Sequence, residues 1–376
     1  MPIRFLHTAD LHLDSPLRTF GDLSRERRRD FLKTFDRIVN LAIKREVDCL
    51  LVAGDLFDSA SAGAETVGHV QDAFARLEGR GVRVVLIPGT HDNIISADSV
   101  YSRYQFSGTH ILREPVVGEP LRLDIRGETV FFYGFAYRSD RSREALESMR
   151  RRPGSGIHVG LLHGSLKGNP EWEMRKKDIP FSVADLAELG LDYIALGHYH
   201  DAACLEEGGR VIACYPGSPE GKKFGENGPR YALIVEAAPG NASVERVEVQ
   251  TRIIREFSVD ASLFAEPAAL EAELARLGSS DTIGRVRLCG TVEEPLDTAN
   301  LSGRVKGNFA WLELVDETDL YDSGHVKRME REDSIRGLFI RKIHERYDAA
   351  GSDAERELCR DALKLVMGRF SRGGGN

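Results

Sequence analysis

Aspartate and histidine recur together in five short clusters. These are Asp10-Leu11-His12, Gly54-Asp55-Leu56-Phe57-Asp58, Gly89-Thr90-His91-Asp92, His163-Gly164 and Gly197-His198-Tyr199-His200. Neutral imidazole mixed with carboxylate suits Mn, Fe, Zn or Co better than Mg or Ca, which prefer all-oxygen shells. In Asp-x-His and His-x-His a single intervening residue lets two extended side chains point the same way, toward one ion or a close pair. Two ions about 3.5–4 Å apart are an arrangement suited to phosphoester hydrolysis: a carboxylate bridges them, a shared hydroxide attacks phosphorus, and a nearby histidine serves the leaving oxygen. Gly54, Gly89 and Gly197 are expected to let the backbone turn sharply beneath the ions.

Each cluster lies just past an apolar run that reads as a strand: Ile3–Leu6, Cys49–Val52, Val82–Ile87, His158–Leu162 and Tyr193–Leu196. In layered α/β folds such carboxyl ends gather at one sheet edge, where ligands bind. Five segments distant in sequence would therefore converge. Further strands are expected at Val130–Phe135, Val211–Cys214 and Tyr231–Val235, with helices at Leu23–Arg45, Ala64–Leu77 and Val183–Leu189. After about residue 250 the texture changes. Arg285–Leu288 and Val305–Leu314 alternate with period 2, which predicts an antiparallel ribbon or small sheet. Two amphipathic helices follow, one with Ile335, Leu338, Phe339 and Ile343 on a face, the other with Leu358, Ala362, Leu365 and Val366. The expected division is 1–250, a large α/β domain; 251–370, a smaller α+β accessory region; and 371–376, a disordered tail.

The chain's 376 residues are too many for one small domain, and 41% hydrophobic with 29% charged residues is ordinary for a globular protein. No apolar run reaches the length of a membrane span, and the amino terminus lacks a signal peptide's apolar segment. The five cysteines are scattered and form no Cys-x-x-Cys pair, which argues for a reduced, cytoplasmic setting and against a disulfide framework or zinc ribbon. Net charge is −8, from 51 Lys+Arg against 59 Asp+Glu, which excludes a protein that coats nucleic acid electrostatically.

The ordered set D-x-H, G-D-x-x-D, G-x-H-D, a lone H and G-H-x-H resembles the calcineurin-like metallophosphoesterases. Finer segments, FLHTADLHLDSP, VDCLLVAGDLFD, VVLIPGTHD, LDYIALGHYH and YPGSPEGKKFGE, resemble the SbcD-type and YhaO-like DNA repair exonucleases within that family. The resemblance is strong through about residue 236 and weak beyond it. It implies a layered α/β metallophosphoesterase fold, a β-sandwich flanked by helices, with a smaller C-terminal α+β domain. It implies two divalent ions, Mn2+ first and Fe or Zn next. Asp10 and His12 would hold one ion together with His200, Asp55 would bridge, and His163 and His198 would hold the other. His91 would be the catalytic histidine, and the Tyr215-Pro216-Gly217-Ser218 turn would close one side. It further implies DNA as substrate, an SMC-like coiled-coil ATPase as partner and a homodimer. The family usually carries Asn where this chain has Thr90, so a weaker second ion is expected.

Other features have plain readings. His7 is expected in the core or behind the ligands, and Asp58 either orients a histidine or caps a helix. His158 reads as core, His69, His110, His325 and His344 as structural, and Tyr199 as packing. Arg285 and Arg287, Lys222-Lys223, Arg175-Lys176-Lys177 and Tyr101-x-Arg103-Tyr104 are candidate DNA contacts that more often are solvated surface. Two rival functions stay open: a small-substrate phosphodiesterase or phosphatase, and a DNA-end-binding scaffold weakened at Thr90. A negative protein can still cut DNA. Two divalent ions bring +4 to a pocket where Asp10 and Asp55 bring −2, leaving it positive by about two units.

Overall fold

The computed structural model describes residues 2–138, 141–168, 179–264, 266–292, 294–320 and 323–372. They form two compact units, Met1–Ile253 and Ile254–Asn376.

The first unit contains two six-stranded sheets. Its strands are β1 (Ile3–Thr8), β2 (Cys49–Ala53), β3 (Arg83–Ile87), β4 (Thr109–Ile111), β5 (Leu121–Ile125), β6 (Glu128–Gly134), β7 (Ile157–His163), β8 (Ser165–Leu166), β9 (Pro180–Phe181), β10 (Tyr193–Gly197), β11 (Ala203–Glu207), β12 (Arg210–Tyr215), β13 (Tyr231–Ala238) and β14 (Asn241–Glu248). One sheet has the order β14-β13-β1-β2-β3-β4, the other β11-β12-β10-β7-β6-β5. The apolar runs become the central strands, because a parallel strand covered on both faces needs a continuous hydrophobic sequence rather than an alternating one. β2, for instance, is buried at every residue. The inner faces of the two sheets meet through Phe5, Leu51, Val85, Phe132, Val159, Leu161 and Ala195. Helices cover the outside: Ser24–Lys44 and Ala64–Glu78 pack together through Phe35 and Phe74, whose rings are 6.0 Å apart.

Register is what aims the clusters. β1, β2 and β3 run parallel with Thr8 beside Val52 and Val52 beside Leu86. β7 and β10 run parallel with Gly197 beside His163. Every expected cluster therefore leaves its sheet level with its neighbours.

One expectation about cysteines is overturned. Cys204 on β11 lies opposite Cys214 on β12, and the two are joined by a disulfide. Hairpin register brings the sulfurs together, which a separation of 10 residues without a Cys-x-x-Cys pattern does not reveal.

The second unit has a three-stranded sheet of β15 (Ile253–Asp260), β16 (Thr282–Cys289) and β18 (Trp311–Asp316), and a small pair, β17 (Thr291–Val292) with β19 (Asp319–Leu320). Of the two expected forms, an antiparallel ribbon or a small sheet, the small sheet is the one found, with β16 and β18 paired in parallel. Val305 ends a helix, Thr298–Val305. A parallel pair needs a crossover, and that helix lies between the two strands in sequence. The alternation from Val305 to Trp311 is the end of a helix and a turn read as strand. The two later helices exist, Ile335–Asp348 and Asp353–Arg372, and their buried faces match those expected only in part: Phe339 and Ile343 pack against the core there. Ile340, Leu363 and Met367 are buried, while Ile335, Leu338 and Leu358 are 85%, 52% and 69% exposed. Ser371 and Arg372, expected in the tail, are helical; the rest of that tail lies outside the described residues. Among the described residues no helix is long and apolar enough to cross a membrane.

Candidate metal centre

The loops that leave β1, β2 and β3 are stitched to one another by their own backbone. Asp10 N donates to Gly54 O at 3.1 Å, His12 N to Asp55 O at 3.0 Å, and Leu13 N to Leu56 O at 3.0 Å. Asp92, fully buried, collects Leu56 N (2.9 Å), Phe57 N (3.2 Å), Gly89 N (2.7 Å) and the Tyr101 hydroxyl (2.5 Å). The second sheet joins through His198 N, which donates to both carboxylate oxygens of Asp10 at 3.1 and 2.9 Å. This stitching forces unusual backbone. Asp10, His12, Asp55 and His198 have φ of 53°, 45°, 52° and 108°, a region that L residues enter at a cost.

Of the three glycines expected to turn the chain, Gly54 does so, at φ +91°. Gly89 and Gly197 serve close approach instead. A Cβ on Gly89 would stand 2.3 Å from Asp55 Oδ1, and one on Gly197 would stand 2.0 Å from Ala53 O.

Among the described residues the side chains meet in three groups whose ligand atoms lie within 4.8 Å of one another: Asp10, His12 and His200; Asp10, Asp55 and His163; and His12, Asp58 and His91. His12 Nε2 is 3.2 Å from His200 Nε2, and Asp55 Oδ2 is 3.5 Å from His163 Nε2. The far side of each ring is already engaged. His163 Nδ1 lies 2.9 Å from Ala53 O, His200 Nδ1 2.8 Å from Glu226 Oε1, His12 Nδ1 3.1 Å from Asp58 Oδ1, and His91 Nδ1 3.1 Å from Asp58 O. Acceptors at Nδ1 fix the tautomer that leaves an Nε2 lone pair facing inward, the arrangement that orients histidine ligands. Two neutral Nε2 atoms 3.2 Å apart repel unless a cation joins them, and bonds of about 2.1 Å span that gap. The donor set therefore fits a divalent ion. His198 stands outside the three groups; its ring centroid is 5.3 Å from that of His163.

Electrostatics divide the carboxylates. Burial, then the charge of Asp55, pushes the Asp10 carboxyl well above the usual range. Burial also pushes Asp55 up, but His163, His12 and His91 more than offset it and hold this carboxyl below the usual range. Two acids close together cannot both ionise freely, and the one ringed by imidazoles keeps the charge. Burial lowers His12 to about 4, so it stays neutral and able to ligate. Asp58 and Glu226 are both pushed up by burial but end at about 2, Asp58 through His12 and Lys222, Glu226 through His200 and the Lys222 amide.

Several supporting residues carry no clear mark in the sequence. Glu226 and Glu220 lie in the glycine-rich YPGSPEGKKFGE stretch, where no periodicity marks them as buried, yet they are 5% and 1% exposed. Asp92 follows His91 directly, and that adjacency is the one signal it carries. Asp58 supports His12. Gly217 lets the Tyr215–Ser218 turn pass against the His200 carbonyl, where a Cβ would come within 2.5 Å. Tyr199 packs on Tyr215, 5.0 Å between rings. His7 is core, between Tyr193 Oη at 2.9 Å and Leu196 O at 3.1 Å. His158 is core too, 2.8 Å from Tyr133 Oη. The candidate DNA contacts fare differently. Lys222 is bound to Asp58, Tyr101 is buried, and Arg285 and Arg287 pair with Glu313, Glu256 and Glu317. Arg175–Lys177 lies outside the described residues.

The sequence pattern of the calcineurin-like phosphoesterases matches residues 3–202, more than half of the chain and all the strand-end clusters. The chain belongs to the calcineurin-like phosphoesterase family. This phosphoesterase is 26% identical to an uncharacterized metallophosphoesterase, YhaO, of Bacillus subtilis, over 98% of the chain and 97% of that protein. It is 26% identical to the SbcD component of the SbcCD nuclease of the same organism, over 63% of the chain and 67% of the relative. It is 28% identical to the DNA double-strand break repair protein Mre11 of Aeropyrum pernix, over 68% of the chain and 63% of the relative. The metallophosphoesterase fold binds a dinuclear metal centre, and the clusters of this phosphoesterase supply aspartates and histidines that can hold one.

Proposed function

We propose that this phosphoesterase is a metal-dependent DNA phosphodiesterase, an exonuclease with endonuclease potential that acts in DNA repair. The observation that carries the reading is the inward set of Nε2 atoms beside Asp10 and Asp55, in a chain whose relatives are named as a nuclease component and a break-repair protein. Asp10, His12 and His200 would hold one ion, Asp55 would lie between two, and His163 with His198 would hold the second. The mixed N/O donors favour Mn2+, with Fe or Zn as alternatives. When bound, such a pair of ions neutralises phosphoryl charge and lowers the barrier to in-line attack at phosphorus.

The remaining work belongs to side chains. His91, with its side chain 44% exposed, has Nδ1 fixed by the Asp58 carbonyl and Nε2 free to meet substrate. With Nδ1–H held by that carbonyl, a second proton taken up at Nε2 would make the ring an imidazolium able to protonate the leaving oxygen. Asp58 and Glu226 hold His12 and His200 in their rotamers, so the ligands need little reordering. Beyond residue 250, the accessory region would seat DNA and dock an SMC-like coiled-coil ATPase, in keeping with a relative named as one component of a complex, and two copies of the chain would pair.

Mn2+-dependent digestion of end-labelled duplex and single-stranded DNA tests the reading. The wild type is expected to cut, and His91→Ala to lose cutting while retaining both ions. Cleavage of chromogenic phosphodiesters or phosphomonoesters without cleavage of DNA would favour the small-substrate rival. DNA binding without cleavage, unchanged in His91→Ala, would favour a scaffold weakened at Thr90.

A further inference from the structure

The loop between β12 and β13 is anchored from behind by residues outside the three ligand groups. Glu220 Oε1 accepts from Arg252 N at 3.2 Å and lies 2.7 Å from Arg27 Nη1; Oε2 accepts from the Thr34 hydroxyl at 2.7 Å and Thr251 N at 2.6 Å. Arg27 Nη2 donates to Gly221 O at 2.8 Å. Asp30 Oδ2 accepts from Arg27 Nη1 at 3.0 Å and Arg252 Nε at 3.3 Å. Arg27, Asp30, Glu220 and Arg252 thus close a largely buried set of two cations and two anions. Such a set is costly to break by removing one member, and it fixes a geometry.

The same loop meets the candidate metal centre twice. Lys222 Nζ is bound to Asp58, which supports His12. Glu226 receives Lys222 N on one oxygen at 2.7 Å and lies 2.8 Å from His200 Nδ1 with the other. Only one residue separates Glu220 from Lys222. The helix Ser24–Lys44 and the chain at Thr251–Arg252 are therefore linked, through one buried carboxylate, to the groups that hold two ligand histidines.

We infer that Glu220 is a positioning residue of the metal centre: it sets the affinity of the ion held through His12 and His200 without touching that ion. The inference rests on the metal-site reading above. A merely structural Glu220 would lower stability when replaced and leave ion affinity unaltered. A positioning Glu220 would change the affinity of one ion and spare the other.

Mn2+ titration of the full chain by EPR, with circular dichroism to check folding, separates these outcomes. Wild type, E220Q, T34V and E226Q are compared. E220Q is expected to weaken one ion about tenfold, the low end for groups that act through a ligand, and E226Q to weaken the same ion by at least as much. T34V keeps every buried charge and removes one donor to Glu220, so it should weaken that ion less. A folded E220Q with both affinities within about twofold of wild type would overturn the inference while leaving the metal-site reading intact. If E220Q does not fold, T34V decides: an unaltered pair of affinities overturns the inference. A wild type that takes up no Mn2+ would sink the metal-site reading itself, and the inference with it.

Discussion

Thr90→Asn should tighten the ion between Asp55 and His163 about tenfold, and the structure gives the reason. Thr90 Oγ1 stands 3.2 Å from Asp55 Oδ2 and 3.5 Å from His163 Nε2. Its hydroxyl therefore donates to the carboxylate oxygen that an ion at this place requires. A hydrogen bond to a charged acceptor is worth about 1.5–3 kcal/mol, and an incoming ion must displace it. The lower figure already corresponds to about tenfold in affinity. Asparagine replaces the hydroxyl with an amide oxygen of longer reach, so it removes the competition and adds a ligand. Thr90→Val isolates the first effect, because it keeps the shape and loses the donor. Calorimetric or EPR titration with Mn2+ should show two unequal sites in the wild type, a smaller gap in Thr90→Val, and a gap at least as small in Thr90→Asn. If both variants fold and leave the weaker site within about twofold of wild type, the hydroxyl does not govern that site and the reasoning fails.

Gly197→Ala drives a Cβ to within 2.0 Å of the Ala53 carbonyl, so urea unfolding should show a loss of at least about 1–3 kcal/mol, and a neutral result would contradict the close approach. Asp92→Ala strands three buried amides, at about 1–3 kcal/mol each, and a loss below about 1 kcal/mol in chelator would show that the loops do not depend on it. Burial lowers His7 from 6.5 to about 3. The folded state therefore keeps His7 neutral while the unfolded chain takes up a proton, so this contribution is complete above pH 6.5 and is lost as pH falls from 6.5 toward 3. At about 1.4 kcal/mol per unit the loss by pH 4.5 is about 3 kcal/mol, and His7→Gln should show a correspondingly shallower decline between pH 7 and pH 4.5. Equal slopes for the two proteins would remove His7 from the account.

The parallel strands are legible because burial on both faces demands unbroken apolar runs, and polar clusters at their ends stand out against them. The second unit is harder. Val305, Phe309 and Trp311 alternate, yet the first closes a helix, because a period of two over a few residues does not distinguish a strand from a helix end followed by a turn. The buried helical faces match those expected only in part, through Phe339 and Ile343. Ile335 and Leu338 are as apolar as Ile340, and tertiary packing alone decides which is covered. At the candidate site, Asp10, His12, Asp55, His91, His163 and His200 come together in groups from the positions that spacing marks. Glu226 and Glu220 are invisible in the sequence, since the His200 ring lies 26 residues from the first and the Arg252 amide 32 from the second; Asp92 is marked as the end of its cluster, but its partner 36 residues away is not. The Cys204–Cys214 bridge is hidden for the same reason, being a matter of cross-strand register.

The left-handed backbone at Asp10, His12, Asp55 and His198 bears on function as well as on geometry. Each such residue costs on the order of 1–3 kcal/mol, so four together approach the net stability of a whole domain. Glycine would occupy any of these positions more comfortably. Imidazoles and carboxylates held there at that cost point to a task at this edge, and a survey of positive-φ aspartates and histidines could find other working sites before any ligand is known.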